Sequence, residues 1–125
     1  MLKRIVILII ILAVVFSFAT IEKIVINNTF EILGYRLEII TQSLGAEQIH
    51  ISDIESLITF WERQKKILYM VIPHVEIRNI EVYLYQLKNA VEFGKYFEAS
   101  EYAEVLLAQT KSVPKTFVLC LENIL

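Results

Sequence analysis

Lys65 follows Trp61 by one helical turn, on a stripe of the chain that is otherwise apolar, so it is the residue whose type fits its position least. A buried ammonium without a partner is costly. Lys65 therefore has two uses. It reads an anionic group in a pocket walled by the Trp61 indole, or it lays its methylenes along that indole and reaches water, helped by cation–π attraction. The second needs no ligand and is the simpler account. His74 and Glu76 form another pair, of types that suit acid–base work or metal binding. Two residues apart on a helix, however, point about 200° apart and cannot hold one ion unless the segment is extended. The structural alternative is that Pro73 opens a helix, Glu76 complements its positive end, and His74 bonds to the turn or the preceding helix. Trp61, Lys65, His74 and Glu76 make up the candidate binding surface; no catalytic, cofactor-binding or metal-ligating residue is assigned.

The remaining chemistry-bearing residues add little. The chain has no G-x-S-x-G, no H-E-x-x-H, no phosphate-binding glycine loop and no Cys-x-x-Cys. Glu47 and His50 form a loose cluster ahead of a helix, but with two histidines and one cysteine a zinc site would need carboxylates, and no spacing suggests one. Fourteen acids guarantee chance pairs such as Glu101 with Glu104 or Glu22 with Glu31. Cys120, the sole cysteine, falls on an inward stripe and reads as a small core residue; it also lies too far from the N-terminus to be a lipid-modified anchor. Neither an enzyme nor a bound cofactor is expected.

The elements that position these residues are helical, since strand-like alternation is never sustained and only three Gly and two Pro interrupt the chain. Asn27-Asn28-Thr29 offers N-caps for a helix with an inward stripe of Phe30, Leu33, Leu37, Ile40 and Leu44, ending near Gly45. The same triplet spells a glycosylation acceptor, but capping is preferred; a hinge above the membrane is the lesser alternative, and the first bundle helix can run on from the bilayer. Ser52 and Glu55 predict a capping box, followed by Ile54, Ile58, Trp61, Lys65, Leu68 and Ile72. Pro73 then forces a tight turn or sharp kink, a turn being preferred because the stripe changes phase: Ile77, Ile80, Leu84, Leu87 and Val91 point inward, not Val75 and Asn79. That stripe continues to Phe93, with Gly94 as left-handed cap. A last helix runs from Tyr96–Ala99 through Ala103, Leu106, Thr110, Val113, Phe117 and Cys120 to Ile124, bent or divided at Pro114.

Ahead of these helices, Lys3 and Arg4 precede seventeen uncharged residues, Ile5 to Ile21. As a helix they span about 25 Å, near the short end of what crosses a hydrocarbon core of about 30 Å. The cations at the start place the N-terminus in the cytoplasm and everything from Glu22 onward outside. A cleaved signal peptide is the competing reading, with Ser17 and Ala19 at cleavage-like spacing, although the apolar run exceeds the usual h-region. Residues 1–21 are thus expected to be a membrane anchor and residues 22–125 one external domain. With ten Lys or Arg against fourteen Asp or Glu, that domain carries a net charge of minus four, which argues against nucleic acid and against electrostatic adhesion to anionic lipid. Short connections make successive helices antiparallel, so the fold class is all-α: a transmembrane helix followed by an up-and-down bundle.

In Trp61-x-x-x-Lys65, His74-x-Glu76-Ile77-x-x-Ile80 and the closing Glu122-Asn123-Ile124-Leu125, the chain resembles domain-of-unknown-function family 4363 over nearly its whole length. The family pattern has His-x-Glu-Ile-Asp, and here Arg78 stands in place of the acid. The resemblance implies a small exported or membrane-anchored protein of Gram-positive, often anaerobic, bacteria and supplies no activity. The expected role is a binding or scaffolding module for another envelope protein; a sensor of a small ligand or ion, using a groove near Trp61 and Lys65, is the alternative.

Overall fold

The computed structural model describes the backbone of residues 1–124 and the side chains of residues 1–116. It contains four helices: α1, Leu2–Gly45; α2, Ile51–Leu68; α3, His74–Glu92; and α4, Tyr96–Ile124. Each packs on its neighbour in chain order and α4 closes the ring against α1, whereas the diagonal pairs do not approach one another among the described residues. Thr29 meets Gln64 while Arg36 meets Phe60, and Trp61 meets Glu81 while Tyr69 meets His74, so α2 runs antiparallel to α1 and to α3; the three-residue connection after α3 turns α4 back along it, with Tyr83 against Tyr102 and Gly34 of α1 against Thr110. The result is an up-and-down bundle.

The expected stripes form the core. Phe30, Leu33, Leu37, Ile40 and Leu44 of α1 are buried with Ile54, Trp61, Leu68 and Ile72, with Ile77, Ile80, Leu84, Leu87 and Val91, and with Ala99, Ala103, Leu106, Thr110 and Val113. Leu57 is buried where Ile58 is only partly covered. Phe93, expected to end the α3 stripe, is exposed instead, because it lies beyond the last helical turn. Phe117 and Cys120, expected on the inward stripe of α4, lie outside the described side chains.

Several local expectations are corrected. Asn27, Asn28 and Thr29 cap nothing: α1 passes through them unbroken. Asparagine costs only about 0.7 kcal/mol or less relative to alanine inside a helix, while Ile26 and Phe30 on either side are buried and Thr29 itself faces Gln64 at 3.4 Å. Packing decides the outcome. At α2 the cap lies two residues earlier than Ser52: the His50 amide donates to the Asp53 carboxylate at 3.3 Å, and buried Ile49 and Ile54 occupy the flanking staple positions. Pro73 does make a turn, with Pro73 itself preceding the first residue of α3. Pro114 does not divide α4, which continues on both sides of it.

Two helix ends share one device. After α3, the Lys95 amide donates to the Ala90 carbonyl at 2.8 Å and the Gly94 amide to that of Val91 at 3.1 Å. After α1, Gln48 donates to Ser43 at 2.9 Å and Glu47 to Leu44 at 3.1 Å. Both are Schellman motifs, which need a left-handed residue one past the cap. Gly94 meets that need at φ +69°, and Glu47 meets it at φ 54° despite its side chain.

The first half of α1 has no place in the core. It is long and apolar enough to cross a membrane, and its apolar window buries none of its residues against the bundle. Ile26 is the first fully buried residue on this helix.

Candidate functional site

The candidate residues gather on the seam between α2 and α3, where the turn at Pro73 folds one helix back along the other. Trp61 lies on the inner face of α2 and is 0% exposed. Its indole N–H donates to Glu81 Oε1 across the seam at 3.4 Å. One turn later, the Lys65 side chain is 23% exposed, and its Nζ reaches Glu81 Oε1 at 2.6 Å and Glu62 Oε2 at 3.0 Å. The Tyr85 hydroxyl donates to Glu62 Oε1 at 3.2 Å. Glu62, Lys65, Glu81 and Tyr85 thus form one polar cluster over the buried indole.

Carboxylates from two helices hold Lys65, so it does not merely extend into water. Its aromatic neighbour is Tyr69, whose ring centroid lies 5.9 Å from Nζ, not the Trp61 face. The bonds to Glu81 and then Glu62 raise its pKa above the ordinary lysine range, against the opposing effect of desolvation. The Tyr85 phenol is raised as well, first by desolvation and then by its bond to Glu62. A lysine that acts as base or nucleophile needs the opposite shift. What this arrangement does is fasten α2 to α3.

The other two candidates sit at the turn. His74, the first residue of α3, is exposed and packs edge-on against Tyr69 with centroids 4.7 Å apart, a ring contact with the preceding helix in place of a hydrogen bond. Glu76 lies in the first turn of α3, where a carboxylate complements the helix dipole. Among the described residues no group of three or more His, Cys, Asp or Glu is placed to hold a metal ion. Glu47 and His50 serve as the α1 terminator and the start of α2.

Sequence reasoning passed over Glu62, Tyr69, Glu81 and Tyr85. Glu62 carried a signal, standing three residues before Lys65 on the same helix. Glu81 and Tyr85 carried none, because their meeting with α2 depends on the register set by the turn. Crevices occur elsewhere: one of about 230 Å³ between α1 and α2, bordered by Arg36, Ser43 and Asp53, and a larger one of about 510 Å³ between α1 and α4, bordered by Asn27, Gly34, Glu38 and Lys115. A family model described as "Domain of unknown function (DUF4363)" matches residues 19–124. No curated protein and no solved structure matches the chain.

Proposed function

The chain belongs to the DUF4363 family, whose description assigns no activity, and from its architecture we propose that it is a single-pass membrane protein whose bundle is a protein-binding module of the cell envelope. One observation carries the reading. A single helix of 44 residues, about 66 Å long at 1.5 Å per residue, is bare and apolar in its first half and a wall of the bundle in its second. Such a helix is both tether and strut, and it holds the bundle close to the bilayer. Lys3 and Arg4 favour a cytoplasmic N-terminus with the bundle outside.

A binding module needs no catalytic constellation. It does need exposed anchors, and aromatic side chains are the commonest. Phe93 and Phe97 flank the Gly94 turn at the end of the bundle farthest from the tether and are 76% and 78% exposed. The alternative, a small-ligand sensor near Trp61 and Lys65, has less support, since the indole has no free surface and the ammonium is already engaged by two carboxylates. No enzymatic role is proposed.

Two measurements test the reading. Carbonate-washed membranes should retain the chain at full length; a soluble product shortened near Ala19 would overturn the tether. A photo-crosslinking residue in place of Phe97 should capture one recurrent envelope protein in intact cells. Capture of nothing above background, in membranes that do retain the chain, would overturn the module.

A further inference from the structure

The α2–α3 turn is an apolar tip of the bundle, and it lies at the end nearer the tether. Ile67, Tyr69, Met70 and Val75 are all exposed there, Met70 at 82% and Val75 at 65%. Its level along α1 follows from the hydrogen-bonded pair Thr29 and Gln64. Leu68, the last residue of α2, lies four residues beyond Gln64, about 6 Å at helical rise, and in antiparallel packing the same displacement on α1 leads from Thr29 to Val25; Met70 lies in the turn beyond Leu68. The uncharged run of α1 ends at Ile21, four residues before Val25 and so about 6 Å away. The interfacial layer on each side of the hydrocarbon is roughly 5–7 Å thick. The end of α2 is thus level with the outer part of that layer, and the turn carries Met70 beyond it toward the acyl chains.

We propose that the α2–α3 turn is a second membrane contact, in which Met70 and Val75 enter the headgroup–acyl boundary of the leaflet that α1 leaves. The proposal rests on α1 spanning the bilayer and adds to it the orientation of the bundle. The local chemistry fits the depth profile of a bilayer. Tyr69 supplies an amphipathic ring of the kind enriched at interfaces. Exposed Lys66 and Arg78 sit on the two helices a turn farther from the tip, where their stems can lie along the apolar surface while the charges meet phosphate. Insertion is therefore driven by apolar burial and needs no strongly basic face, in keeping with the negative net charge. With α1 alone, the bundle could tilt freely about its tether; two contacts hold Phe93 and Phe97 away from the lipid.

The test uses the full chain with Cys120→Ala, reconstituted in nanodiscs of phosphatidylcholine and phosphatidylglycerol. An environment-sensitive fluorophore is placed singly through Val14→Cys, Met70→Cys or Phe93→Cys, and lipids carrying a nitroxide near the acyl carbonyl are the quencher. Loss of fluorescence at positions 14 and 70, with none at position 93, is the expected result. Quenching at 14 but not at 70 would overturn the second contact and leave the tether intact. Absence of quenching at 14 would overturn the tether, and the present proposal with it. Equal quenching at 70 and 93 would mean a bundle lying on its side, which also overturns the proposed attitude.

Discussion

Glu81 serves two donors of different kinds, and the two can be separated by substitution. Trp61→Ala deletes the largest side chain of the core and should cost about 3–5 kcal/mol. Glu81→Ala deletes no core volume. It leaves the indole N–H buried without an acceptor and Lys65 with Glu62 alone, a loss of about 1–3 kcal/mol. Denaturant midpoints at constant m-value would order the two; equal costs would mean that the polar cluster matters as much as the indole's bulk. Alkaline pH provides an independent check. Lys65 and Tyr85 both have raised pKa values in the folded chain, so their contribution is complete below the unfolded values and is lost as pH rises through the folded ones. Stability should therefore fall above about pH 10, and less steeply in Lys65→Met than in the parent. Parallel slopes would show that Lys65 contributes nothing through ionisation. Lys65 was conspicuous in the sequence because a charge interrupted an apolar stripe. Its partner Glu81 was not, since a cross-helix ion pair depends on a register that local pattern does not encode.

Helix interiors and helix ends are specified by different physics, which is why the stripes were legible and several boundaries were not. Ile77, Ile80, Leu84, Leu87 and Val91 repeat with a period that only a helix can bury on one side. Asn27-Asn28-Thr29 carries the same side chains as many N-caps, yet burial of Ile26 and Phe30 outweighs their small preference for a helix start. Gly45 marked the end of α1 to within a residue, but the left-handed position falls at Glu47. The shared Schellman geometry makes this difference testable. Gly94→Ala should destabilise by about 1 kcal/mol, from backbone conformation alone, because nothing lies within 4 Å of an added Cβ. Glu47→Gly should do the reverse and stabilise by about 0.5–1 kcal/mol, the relief of left-handed strain being partly offset by the greater freedom of glycine in the unfolded chain. Thermal melts of the two variants should shift in opposite directions. A fall in both would mean that the Glu47 side chain contributes more than its strain removes.

The apolar half of α1 and the bundle share one helix but not one source of stability. Leu2 to Phe18 are exposed on every side, so removing them takes no buried surface from the four-helix core. Ile26 is 1% exposed, and beside it Thr29 bonds to Gln64 of α2. Two truncations therefore fall on opposite sides of a physical boundary, although the backbone of α1 shows no break between them. A chain beginning at Glu22 should unfold cooperatively in plain buffer, with helicity per residue close to that of the parent bundle. One beginning at Phe30 loses the buried Ile26 side chain, worth about 1.5–3 kcal/mol, together with two helical turns that pack on α2 and α4. Against the roughly 5–15 kcal/mol available to a domain, that loss should lower the midpoint clearly without abolishing the transition. Circular dichroism during urea titration distinguishes the outcomes. If the chain starting at Glu22 melted without cooperativity, the apolar half of α1 would have to contribute to folding of the bundle, and the two halves of the helix would not be separable.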